Sequence, residues 1–314
     1  MPHLSYGDVK QAADRIAGQV RPVTLAPAGP ELWFALEFLQ HTGSFKARGA
    51  QNFLAAHREA GTLPDTGVTI ASGGNAGLAC AWAAQRQGVR ATVFLPKTAP
   101  EVKVAKLRSY GAEVRLTGTE YAEALAACEE FANATGALAS HAYDHPLIAA
   151  GAGTLLDEIT RQLPTLDTVV LSVGGGGLFA GVATAARHHG IRVVAVEPEH
   201  CRALNAALAA GHPVDVPVSS VAADSLGARR ASANALHAAQ QDRVHSVLVP
   251  DSAIIEARQS LWDQHRIAAE HAAATALAGL TVHRPLPGER VAVILCGANT
   301  DPSDLVGPGA GEVG

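Results

Sequence analysis

Short runs in which nearly every residue is apolar recur along the chain, at 68–71, 91–95, 114–116, 168–171, 192–196, 246–249 and 291–295. Most are rich in β-branched residues and show no polar alternation. Strands apolar on both faces belong in a parallel sheet covered by helices on each side. Alanine-rich stretches of helical length lie between them, at 46–56, 76–87, 100–110 and 120–133, and a further helix is expected from Phe179. Gly111 and Gly136 stand where a helix commonly ends in a left-handed residue. The alternation predicts an α/β fold with mostly parallel strands. No short-period repeat and no long linker interrupts it. The end after Thr300, DPSDLVGPGAGEVG, is expected to fray.

Composition narrows the function. The chain has 314 residues, 48% hydrophobic and 17% charged, enough for one large or two ordinary domains and too apolar for bulk disorder. Its net charge of −5 argues against a nucleic-acid or anionic-membrane partner, which needs a basic field. No apolar run approaches the ~20 residues of a membrane span. The start, MPHLSYGDVKQAADRI, lacks the cationic and apolar blocks of a secretory signal, so a cytoplasmic protein is expected. Cys80, Cys128, Cys201 and Cys296 form no Cys-x-x-Cys pair, and the 14 histidines show no metal-ligand spacing.

Four segments could carry chemistry. Lys46, in His41-Thr42-Gly43-Ser44-Phe45-Lys46, opens a helical stretch. Taken alone it reads as a surface lysine; as a nucleophile toward an aldehyde it needs a lowered pKa, from burial or a neighbouring positive field. Ser72-Gly73-Gly74-Asn75-Ala76-Gly77 joins a strand to a helix. It could be a capped turn, or it could offer free N–H groups and the Ser72 and Asn75 side chains to a carboxylate. Gly174-Gly175-Gly176-Gly177-Leu178 follows the strand at 168–171. Four consecutive glycines are entropically costly, and close approach of backbone N–H groups to a phosphomonoester is the usual reason. No Lys-Ser or Lys-Thr pair follows, so the P-loop pattern fails. Leu295-Cys296-Gly297-Ala298-Asn299 closes the last strand, and Cys296 could be a buried apolar residue or a weakly polar group at the sheet's carboxyl edge.

A candidate Schiff-base lysine, a loop for one phosphate and a carboxylate loop converge on pyridoxal 5′-phosphate. The chain resembles the fold-type II pyridoxal-phosphate enzymes, and within them the serine/threonine dehydratases, or ammonia-lyases. The likeness runs from about Thr24 to Asn299. It is carried by Ser44-Phe45-Lys46 with Arg48-Gly49-Ala50, by the tetraglycine loop, and by Gly151-Ala152-Gly153-Thr154 with Glu158. The resemblance implies two open, mostly parallel sheets with flanking helices, as in tryptophan synthase β. A large cofactor domain (1–44 and 148–314) would carry a small inserted domain (45–147) that closes over the substrate. It implies β-elimination from L-serine or L-threonine to a 2-oxoacid and ammonia, in a cytoplasmic homodimer. Lys46 would hold the cofactor and act as base at Cα, Phe45 would cover the ring, and Asn75 would meet its 3-oxygen. Gly174, Gly175, Gly176, Gly177 and Leu178 would cradle the phosphate, and Cys296 would meet the pyridine nitrogen. Ser72, Gly73, Asn75 and Ala76 would hold the substrate carboxylate. Ser225, in Asp224-Ser225-Leu226-Gly227, would lie against the ring's other face. Glu197 resembles a cation ligand, and Ala203 stands where racemases place an acid for a divalent ion, which favours a monovalent cation such as K+.

The chain departs from family patterns at Gly73, where many members have the second serine that serine racemases use. Without a hydroxyl there, racemisation is disfavoured. The alternatives are elimination from another β-hydroxy amino acid, such as 3-hydroxyaspartate or an ectoine-pathway intermediate, with Arg229-Arg230 as candidates for a second carboxylate; serine racemisation; β-replacement, whose Thr-Ser-Gly-Asn-Thr-Gly loop is missing here; a nicotinamide-dependent oxidoreductase, because Glu197 follows the glycine loop at a ribose-binding distance; and a non-catalytic binding protein.

Overall fold

The structure, a computed structural model, describes residues 3–306. The expected frayed end lies outside the described residues from 307 onward. Ten strands form two sheets: β1 (Leu25–Gly29), β2 (Leu32–Ala35), β3 (Val68–Ala71), β4 (Ala91–Leu95), β5 (Glu113–Leu116), β6 (Leu138–Ala139), β7 (Thr168–Ser172), β8 (Arg192–Pro198), β9 (Val244–Val249) and β10 (Val291–Ile294). The larger sheet has the order β1-β2-β10-β7-β8-β9, and the smaller β5-β4-β3-β6. Every pairing is parallel except the β1–β2 hairpin.

All seven expected strands form. One differs in character: β5 has the sequence Glu113-Val114-Arg115-Leu116 and is largely exposed, because it is an edge strand with neighbours on one side only. The hairpin was not anticipated. Pro27 and Gly29 interrupt β1, the register shifts between them, and Pro30 with left-handed Glu31 (φ 53°) makes the turn.

Each sheet has its own core. Phe34, Leu155, Leu171, Phe179 and Val293 fill the larger one, and Phe53, Leu54, Trp82, Val93 and Leu107 the smaller. Two helices join the layers, Lys46–Glu59 and Pro146–Gln162. The second packs against helix Gly177–His189 at backbone contact: a Cβ on Gly153 would lie 2.7 Å from the Gly181 carbonyl oxygen. This close approach is the physical reason for glycine within Gly151-Ala152-Gly153-Thr154. Glu158, one turn further on, takes both of its oxygens to the fully buried Arg48 guanidinium, at 2.7 and 2.9 Å. Arg48 also meets both oxygens of Glu37, at 2.5 and 3.2 Å. The start of helix Lys46–Glu59 is thereby pinned to the larger sheet's surroundings. No helix among the described residues is long and apolar enough to cross a membrane.

Candidate active site

Lys46 is set by the end of β10. The Phe45 N–H donates to the Cys296 carbonyl at 3.0 Å, and Ser44 bridges Gly297. These contacts carry the first turn of helix Lys46–Glu59 to the carboxyl edge of the larger sheet, where open parallel sheets bind ligands. The Lys46 ammonium donates to the Ala142 carbonyl at 2.9 Å and sits 4.8 Å from the centre of the Phe45 ring. Burial pushes its pKa down to about 8, against the opposing pull of Glu270. At pH 7 about one amine in ten is then the free nucleophile, against well under one in a thousand for an ordinary lysine. One small cavity is lined by Phe45, Lys46, Ala76, Cys80, Ala142 and Gly177. The lysine and the last glycine of the tetraglycine loop, 131 positions apart (177 − 46), therefore face the same space.

The glycine loop connects β7 to helix Gly177–His189. The backbone N–H groups of Gly174 to Leu178 donate to no acceptor among the described residues. Orphan donors at a helix start, reinforced by the helix dipole, suit a phosphate. Gly176 has φ 93°, and a Cβ there would collide with Ala235; one on Gly175 would collide with the Tyr143 ring. Gly176→Ala should therefore cost about 1–2 kcal/mol for the left-handed backbone alone, and more for the collision. Urea denaturation should show at least that loss; a variant as stable as the parent would contradict this account of the loop.

The Ser72–Gly77 turn is not a side-chain-capped helix start. The N-cap of helix Asn75–Arg86 is Gly74, with no side-chain cap bond, so its first N–H groups are open to a ligand. The half-buried Ser72 and Gly73 precede it, and the buried Ala76 lies in its first turn. The Asn75 side chain does not cap this turn. Its Nδ2 donates to Glu270 Oε1 and Oε2 at 2.9 and 3.0 Å, and its Oδ1 accepts from Asn299 Nδ2 at 2.7 Å. Glu270 is 5% exposed, and burial raises its pKa despite these donors. Cys296 is also 5% exposed, 3.7 Å from Ser172 Oγ, and burial pushes its thiol up to about 12, so it remains a neutral thiol.

Sequence reasoning missed Glu270, Asn299 and Tyr143. The one available signal for Glu270 was a lone acid at the head of an alanine-rich helical stretch. Ser225, on the short helix Ala223–Leu226, lies beside the loop: a Cβ on Gly174 would be 3.5 Å from its carbonyl oxygen. Its neighbour Asp224 pairs with Lys103 at 3.0 Å, linking this helix to Glu101–Ser109, beside the smaller sheet. Glu197 makes no hydrogen bond to this group. It is fully buried, and its two oxygens accept from the N–H groups of Leu204 and Asn205, at 2.7 and 2.8 Å. Arg230 is exposed and paired with Asp215 at 2.8 Å, and Arg229 is exposed too. Neither lines the small cavity beside Lys46.

The profile of the pyridoxal-phosphate dependent enzymes matches residues 20–297. The chain belongs to that family. It is 37% identical over 310 residues to an L-threonine ammonia-lyase of Geobacter sulfurreducens, covering 95% of this chain and 76% of that one. To a serine dehydratase-like protein of Homo sapiens it is 36% identical over 286 residues, covering 87% and 86%. Maize serine racemase superposes with a TM-score of 0.89 at 27% identity, covering 97% and 96%. For a family member, the orphan N–H groups of the glycine loop and the low-pKa amine across the cavity fit a phosphate and an aldehyde carried on one molecule.

Proposed function

We propose that this protein is a pyridoxal-phosphate ammonia-lyase that converts L-serine or L-threonine to a 2-oxoacid and ammonia. The observation that carries the reading is the Lys46 amine, lowered to about 8 and lining one cavity with Gly177. When bound, the cofactor supplies an electron sink for the bond to the Cα proton. The side chains do the rest. Lys46 would hold the cofactor aldehyde through its amine, and it would take the proton from Cα. Phe45 and Ser225 would flank the ring, and Asn75 would meet its 3-oxygen. The N–H groups of Gly174, Gly175, Gly176, Gly177 and Leu178 would hold the phosphate. Ser72, Gly73, Asn75 and Ala76 would bind the substrate carboxylate at the uncapped helix start. Cys296 would face the ring nitrogen. A neutral thiol there could not keep that nitrogen charged as a carboxylate would, which would favour loss of the β-hydroxyl over slower transformations.

The same reading divides the chain into a large domain (1–44 and 148–314) and a small one (45–147) that closes over the substrate, in a cytoplasmic homodimer. It also puts a monovalent cation such as K+ beside Glu197. That buried carboxyl accepts only two N–H bonds, and a cation would add a partner. The similarity to serine racemase favours racemisation as a second reading. Gly73 opposes it, since it has no hydroxyl to deliver a proton from the opposite face. Incubation with L-serine should release pyruvate and ammonia, without D-serine on chiral chromatography. D-serine accumulating faster than pyruvate would reverse the order of the two readings.

A further inference from the structure

We propose that Glu270 and Asn299 are positioning residues that lock the amide of Asn75, so that it can offer the cofactor ring a hydrogen-bond donor and never an acceptor. This rests on the cofactor reading above. The argument starts from a group whose character is fixed, since a backbone carbonyl only accepts. Thr42 provides it. Its left-handed backbone (φ 65°) accompanies a carbonyl oxygen 2.6 Å from one amide atom of Asn299, which must be Nδ2. The same Nδ2 lies 2.7 Å from one amide atom of Asn75, which must be Oδ1. The other amide atom of Asn75 is then Nδ2, and it faces Glu270. The chain reads the same from its other end. Glu270 meets Asn75 Nδ2 and the Asn299 backbone N–H, at 2.8 Å for the latter, and both are donors.

An asparagine can usually turn its amide by half a turn and exchange oxygen for nitrogen at little cost. Here the turn would set Asn75 Oδ1 against the Glu270 carboxylate and its Nδ2 against Asn299 Nδ2. Both contacts would be repulsive, and the first lies against the buried Glu270, where polar mismatches are expensive. Both Glu270 oxygens meet the same nitrogen, and they sit too close together to take both of its hydrogens. One amide hydrogen of Asn75 is left over, on a nitrogen polarised by a carboxylate and hence a stronger donor. The space Glu270 occupies also explains Gly297, where a Cβ would lie 2.8 Å from Glu270 Oε1. A fixed donor at the ring's 3-oxygen holds that oxygen in its ionised form and sets the tilt of the ring.

The test is the rate at which holoenzyme loses its cofactor on dilution, followed by the visible band, in a double-mutant cycle. Glu270→Gln keeps the shape and removes the charge. Alone it should speed cofactor loss about tenfold, the scale of one charge-assisted hydrogen bond, and shift the position of the band. In an Asn75→Ala background it should change the rate less than about twofold, because its target is gone. Asn299→Ala should show the same pattern, and it decides the matter if Glu270→Gln does not fold. Equal effects in both backgrounds, or no effect of either single change, would overturn the proposal. A wild-type protein that retains no cofactor would overturn the underlying reading, and this one with it.

Discussion

Lys46→Ala should lower 2-oxoacid release from L-serine and L-threonine by more than about 10³-fold, since general-base help alone is worth about 10²–10⁴ and the covalent hold on the cofactor is lost as well. The loss should be chemical rather than structural. Lys46 opens its helix and spends its amine on a single bond to the Ala142 carbonyl. Removing an amine that burial has already pushed down to about 8 relieves a desolvation penalty, so with both proteins free of cofactor the variant should melt no earlier than the parent. Turnover assays paired with thermal denaturation check both parts. A variant that kept a tenth of its turnover would mean that another base does the work.

The second large effect is on stability. Arg48→Met should destabilise the fold by about 3–5 kcal/mol, the scale for removing one partner from a buried ion pair. Glu37 is 1% exposed and meets Arg48 through both oxygens, while Glu158 brings a second carboxylate to the same guanidinium. Without Arg48, two carboxylates would face each other across an apolar gap. Urea denaturation of wild type and variant measures the difference. A loss below about 1 kcal/mol would mean that water reaches this cluster and the network is no more than a surface pair.

How much was legible in the sequence depends on the range of the interactions. Strands β3, β4, β7 and β10 were read within a residue or so, because apolar runs in a parallel sheet announce themselves locally. The β1–β2 hairpin was not, since Pro27 and Gly29 break the run and its β2 side is stabilised by parallel pairing with β10, more than 250 positions away. β6 has only two residues and exists because β3 is beside it. The site follows the same division. The tetraglycine loop is marked by a composition that asks for a ligand, whereas Lys46, which alone reads as a surface lysine, is picked out by the family motif Ser44-Phe45-Lys46. Glu270 is an ordinary acid until the fold sets its carboxyl 2.9 Å from Asn75, 195 positions away. Glu197 shows the converse. Its neighbourhood suggested a ligand, and the folded chain gives it two backbone donors at the start of helix Ala203–Ala210.

The central claim is a covalent link between one named amine and the cofactor. The most direct measurement is borohydride reduction of the protein as purified, followed by proteolysis and mass mapping of every lysine peptide. The account predicts a reduced pyridoxyl phosphate group on Lys46 and on no other lysine. Label on a different lysine, or none on a protein loaded with the cofactor, would contradict it.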